Sequence, residues 1–207
     1  MARWKTRLSS TFAAAMLLGP VPSAAEGATA IGVVESLHAV LISAMKEADS
    51  LGYQGRFDRL SPVLSSSFDL GFMAAKCVGR VWKTLNEKDQ QRWLDAFERH
   101  TTSNYAGRFN NYSGQVFETL GEQPAAHDTV LVRTKLVNPS DQDVQLNYRL
   151  RSIDGGWRII DVYLNGTVSE LALRRSEYSS VLKRDGFEVL LASVDRKAED
   201  LAKGVIE

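Results

Sequence analysis

Apolar residues recur every three or four positions between Ala28 and Leu51, at Ile31, Val34, Leu37, Leu41 and Met45, which predicts an amphipathic helix ended by Gly52. A second helix is expected over 55–64. After Ser65-Ser66-Ser67, the stretch FDLGFMAAKCVGRVW reads as a compact apolar helical piece interrupted at Gly79. Asn86 then precedes Glu87 and Asp89, an N-cap followed by acidic residues that complement the helix dipole. The long helix expected from there carries Trp93, Phe97, Tyr105 and Phe109.

Past Asn110-Asn111-Tyr112-Ser113-Gly114 the period shortens to two. Four strands are predicted, over 115–120, 129–137, 144–152 and 157–164, and Ile153-Asp154-Gly155-Gly156 joins the last two as a hairpin. Val130, Val132 and Leu136 give the second strand an apolar face. Val144, Leu146, Tyr148 and Leu150 give one to the third, with Gln145, Asn147, Arg149 and Arg151 on its wet side. Strict alternation in the fourth groups Ile160, Val162 and Leu164 on the apolar face and places Asp161 with Trp157, Ile159 and Tyr163 on the other. Two helices close the chain, over 170–184 and 188–203, separated by Asp185-Gly186. Phe187, Leu190, Leu191, Val194, Ala198 and Leu201 form a packing stripe on the last helix. The expected class is α+β, a four-stranded antiparallel sheet with helices on one side.

The N-terminal segment changes the picture of where the protein works. Arg3, Lys5 and Arg7 precede an apolar run from Leu8 to Leu18, then Pro20, Pro22 and Ser23-Ala24-Ala25. This pattern predicts a secretory signal peptide cut after Ala25, leaving residues 26–207 as one exported domain. The run is shorter than the roughly 20 residues a membrane-spanning helix requires. Removing three basic residues leaves 22 against 25 acidic ones, so the balance is near neutral, unlike the basic footprint of a nucleic-acid-binding domain. Cys77 is the single cysteine, and the fold has to rest on its core rather than on an internal disulfide.

Candidate chemistry is sparse. His38, His100 and His127 fall in separate predicted segments, without metal-ligand spacing, and are expected at the surface or at helix caps. There is no nucleophile elbow, phosphate loop or H-E-x-x-H. Cys77 lies in an apolar stretch with no neighbouring histidine and is expected to be a buried, unreactive thiol. Asp161 leaves two readings open: a desolvated general base, or a carboxylate paired with a nearby arginine or wetted at the sheet edge. Arg174 and Arg175 also divide between contact with a phosphate or a partner's acidic surface and pairing with Glu170 or Glu177. The wet-face residues Arg133, Arg149, Arg151 and Arg158 carry the same ambiguity.

Three ordered patterns resemble a known family. Phe68, Asp69, Ala74, Gly79 and Trp82, within FDLGFMAAKCVGRVW, make up the first. A capped helix with Phe97 and the stretch YAGRFNNYSGQV come next. Trp157, Asp161, Val162, Gly166, Ser169, Arg175, Tyr178, Gly186, Leu190 and Leu191 complete the last pattern. The chain, over roughly 33–200, resembles the MlaC or toluene-tolerance family of periplasmic lipid carriers. The two residues Thr167-Val168 between Gly166 and Ser169, where one is commoner, look more like the hopanoid-cluster branch, HpnM.

The resemblance implies a cystatin or NTF2-like sheet with a helical subdomain enclosing an apolar pocket, and no enzymatic activity. The ligand would be a phospholipid or hopanoid, with no other cofactor. The partners would be an inner-membrane ABC transporter bearing an MCE-domain protein and an outer-membrane lipoprotein complex. The wall residues expected on this reading are Trp82, Tyr105, Phe109, Val132, Leu136, Leu146, Tyr148, Leu150, Ile160, Val162, Leu164 and Leu171. Gly166 is expected to turn the chain at the strand end, and Ser169 to cap a helix lying over the open end of the sheet.

Overall fold

The computed structural model describes residues 29–204, so the expected signal peptide lies outside the described residues. Helices α1 (Ala30–Lys46), α2 (Ala48–Ser67) and α3 (Leu70–Val78) lead into a 3-10 turn (Gly79–Thr84) and the long α4 (Glu87–Arg108). Strands β1 (Val116–Ala125), β2 (Thr129–Val137), β3 (Val144–Ile153), β4 (Gly156–Leu164) and β5 (Val168–Ser169) follow, then α5 (Glu170–Asp185) and α6 (Phe187–Ala202). The strands pair antiparallel in the order β1-β2-β3-β4-β5. The class is α+β, as expected, but the sheet has five strands instead of four. The additional strand is only two residues long, below the length at which alternation is visible.

Other departures have local causes. The first predicted helix divides at Glu47, and Gly52, at φ +59°, kinks α2 instead of ending α1. Strand β1 runs five residues beyond its expected end because Gly121, at φ +104°, carries a bulge rather than a turn. Pro124 is tolerated because β1 is an edge strand.

A second bulge matters more. Asp161 pairs with Arg149, but Ile159 pairs with Leu150, so Ile160 is the extra residue. Alternation is interrupted there, and Ile159 joins the core in place of Ile160.

Caps fix the helix starts. Asn86 Oδ1 accepts from Asp89 N at 2.9 Å, and Ser169 Oγ accepts from Ala172 N at 3.0 Å. Asp69 accepts from Phe72 N at 3.0 Å and also receives Arg151 Nε at 2.9 Å, which ties the start of α3 to the sheet. Trp93, fully buried, donates from Nε1 to Ala74 O at 2.9 Å and meets Tyr178 edge-on at 5.4 Å. Helices α1, α2, α3 and α5 approach the sheet directly, whereas α4 packs mainly on α2, α3 and α6. The side chains of α4 therefore face the sheet across a gap.

Candidate functional site: a cavity between α4 and the sheet

That gap is a cavity of about 300 Å³, at the lower end of the size range of small-molecule sites. Thr101, Asn104, Tyr105 and Arg108 line it from α4, at the i, i+3, i+4 and i+7 spacing that puts them on one face. Leu136, Val144, Leu146, Tyr148, Val162 and Leu164 line it from β2, β3 and β4. Register explains the apolar wall: Tyr148 pairs with Val162 and Leu146 with Leu164, and all four face the helices. Glu170, Leu171 and Arg174 bound it at the start of α5.

Aromatic rings run along the cavity. Phe68 meets Tyr105 edge-on at 5.9 Å, Tyr105 stacks on Phe109 at 5.7 Å, and Phe109 lies 6.3 Å from Phe117. Phe117 stacks on His38 at 3.7 Å, and His38 Nε2 lies 3.0 Å from the Tyr148 hydroxyl in a hydrogen bond directed by the imidazole tautomer. Burial raises the Tyr105 and Tyr148 phenols above their ordinary values and lowers His38, the partner of Tyr148, to about 3, so these three groups stay uncharged near neutrality.

Of the twelve residues expected in the wall, Tyr105, Phe109, Leu136, Leu146, Tyr148, Val162, Leu164 and Leu171 line the cavity. Val132 and Leu150 are instead packed in the solid core, each with no exposed surface. Trp82 sits half-buried on the 3-10 turn, away from the cavity, and Ile160 is displaced by the β4 bulge. The missed residues include Met45, Phe68 and Met73, which belong to helices read only as packing elements, and the polar residues Asn111, Gln115 and Asn138. Asn111 and Gln115 lie in the hinge between α4 and β1, and Asn138 just past β2, where no periodic signal marks them.

Asp161 is desolvated, and is neither paired with an arginine nor wetted at the sheet edge. Its carboxylate is buried and accepts from Val162 N at 2.8 Å, Ser169 Oγ at 2.6 Å and Leu171 N at 3.1 Å. The group anchors α5 to β4. Gly166 explains the neighbouring turn: it stands at φ +77°, where a Cβ would lie 2.6 Å from Gln145 Oε1. The expected surface or capping role of the histidines holds for exposed His127 and fails for the other two. His38 is buried against Phe117, and His100 Nδ1 lies 3.4 Å from the buried Tyr178 hydroxyl. Desolvation, helped by Arg174 and Lys197, lowers His100 to about 3. Cys77 is fully buried, and desolvation pushes its thiol up to about 12. Among the described residues, no group of His, Cys, Asp and Glu could hold a metal ion.

The arginines also separate. Arg149 donates to Thr129 Oγ1 and Ala126 O, and Arg151 to Asp69, so both serve the scaffold. Glu177 pairs with Lys197 at 2.7 Å, and among the described residues neither Glu170 nor Glu177 forms an ion pair with Arg174 or Arg175. Arg174 turns toward the cavity.

Comparison with known proteins agrees with this architecture. Residues 35–196 match the family model described as MlaC protein. A phospholipid-binding protein from Ralstonia solanacearum, solved in complex with a phospholipid, is similar with a TM-score of 0.72 and 23% identity, over 85% of this chain and 99% of that one. No curated protein matches the chain.

Proposed function

Because this chain belongs to the MlaC family, we propose that it is a lipid carrier, binding acyl chains in the cavity between α4 and the sheet. The observation that carries the reading is the cavity itself, an apolar sheet wall facing aromatic rings, with polar and charged residues confined to part of its lining. The phospholipid in the similar solved protein supports it.

Exposing one methylene to water costs about 0.8 kcal/mol, so two chains of about fifteen carbons each cost on the order of 20 kcal/mol. An apolar cavity offsets that cost without any reacting group. Asp161, the carboxylate that the sequence singles out for acid–base work, is occupied by helix anchoring, which favours a carrier over an enzyme.

Acyl chains are nearly as well accommodated in a bilayer as in such a cavity. Loading and unloading therefore require docking that bypasses the water-exposed state. On this reading the protein works in the periplasm, exported by its N-terminal segment. It shuttles a phospholipid or hopanoid between an inner-membrane ABC transporter bearing an MCE-domain protein and an outer-membrane lipoprotein complex. The test is transfer of labelled phospholipid from the carrier to vesicles with and without those reconstituted complexes. Docking predicts much faster transfer with them; equal rates to bare vesicles would contradict the shuttle.

A further inference from the structure

Glu170 and Arg174 stand one helical turn apart at the start of α5, and both line the cavity half-buried. A carboxylate and a guanidinium at i, i+4 can reach each other. Here, among the described residues, they form no ion pair. Arg174 donates from Nη1 to Thr101 Oγ1 at 3.0 Å and lies 5.6 Å from the Phe97 ring centre. That uses one of the five N–H donors of a guanidinium. The Glu170 carboxylate accepts no hydrogen bond among the described residues.

Two opposite charges thus face one partly desolvated space, separately, where each is costly without a partner. Arg108, the other cation of the wall, is exposed and already donates to Asn104 Oδ1 at 2.7 Å. It lies two turns along α4 from Thr101, about 10 Å away at 1.5 Å per residue. The pair at α5 is a separate polar locus.

We propose that Glu170 and Arg174 form a head-group subsite for a zwitterionic amine–phosphate ester, with Arg174 holding phosphate oxygens and Glu170 the ammonium. The inference rests on the lipid-carrier reading above and adds to it a preference. In phosphoethanolamine a two-carbon spacer separates the charges, a separation suited to side chains one turn apart. The guanidinium fork suits phosphate oxygens. An anionic head group lacking the amine satisfies Arg174 but leaves the Glu170 carboxylate facing a second negative charge.

The test loads delipidated full-chain protein from vesicles of equal parts phosphatidylethanolamine and phosphatidylglycerol with identical acyl chains. The protein is separated from the vesicles and its lipid quantified by mass spectrometry. Phosphatidylethanolamine is expected several-fold above its input share, and E170Q is expected to return the ratio to that of the vesicles. Uptake of both lipids in the input ratio by the wild type overturns the subsite while leaving the carrier intact. An unchanged preference in E170Q also overturns it. Uptake of neither lipid overturns the subsite and the phospholipid form of the carrier reading together.

Discussion

The carboxylate of Asp161 accepts a hydrogen bond from the backbone N–H of Leu171 at 3.1 Å, joining the sheet to a helix whose Leu171 side chain lines the cavity. The same carboxylate takes the hydroxyl of Ser169, and Ser169 in turn caps Ala172. Asp161→Ala leaves these donors unsatisfied, a loss of about 1–3 kcal/mol for a buried group. Asp161→Asn retains a carbonyl acceptor and is expected to lose less. Urea denaturation of the three proteins checks the order, and a variant as stable as the wild type would contradict the anchoring role.

Stability is expected to fall on acidification because of two histidines. His38 and His100 both have folded-state values of about 3, below the ordinary histidine value of about 6.5. Between those values the unfolded chain binds the protons that the folded chain refuses, so stability rises with pH through that window and falls as the pH drops. Each histidine contributes a slope of up to about 1.4 kcal/mol per pH unit. Above about 6.5 the contribution is flat. Replacing both by glutamine is expected to flatten the wild-type pH profile measured by denaturant melts from pH 7 to 4; an unchanged slope would contradict the burial of the two rings.

Cys77 is expected to resist alkylation. Its thiol is fully buried and pushed up to about 12, so almost no thiolate exists near neutrality. Iodoacetamide should label it only after denaturation. Rapid labelling of the native protein would contradict the packing around α3.

The fate of these residues shows what a sequence can carry. Strands β2 and β3 were legible because one face of each is mostly apolar, and α5 and α6 because Gly186 separates them. The family patterns were legible too, and the structure gives several of their residues mainly structural work. Asp69 caps α3, Gly166 turns the chain, Asp161 and Ser169 anchor α5, and Tyr178 packs on Trp93. Less legible were features that depend on three-dimensional register. The bulge at Ile160 reverses which isoleucine faces the core, and no local preference marks it. The distinction between Leu150, in solid packing, and Leu146, on the cavity wall, also depends on which stretch of the sheet the helices cover. The burial of His38 was not legible because its partners Phe117 and Tyr148 lie far along the chain.

Filling the cavity separates lipid binding from folding. Leu171 is half-buried at the cavity boundary, where a larger side chain can occupy space without displacing the solid core. Leu171→Trp is expected to lower bound lipid several-fold while shifting stability by about 1 kcal/mol or less, the range of surface substitutions and mild repacking. Lipid extraction beside a thermal melt reads both. Full lipid occupancy in a folded Leu171→Trp protein would place the acyl chains elsewhere.

The most direct measurement is native mass spectrometry, with extracted-lipid analysis, on the protein purified from a bacterial periplasm without detergent. A carrier with acyl chains in the α4–sheet cavity predicts a stoichiometric adduct whose extracted mass is that of a diacyl phospholipid or a hopanoid. A mass with no adduct, unchanged after incubation with vesicles of either lipid, would contradict the account.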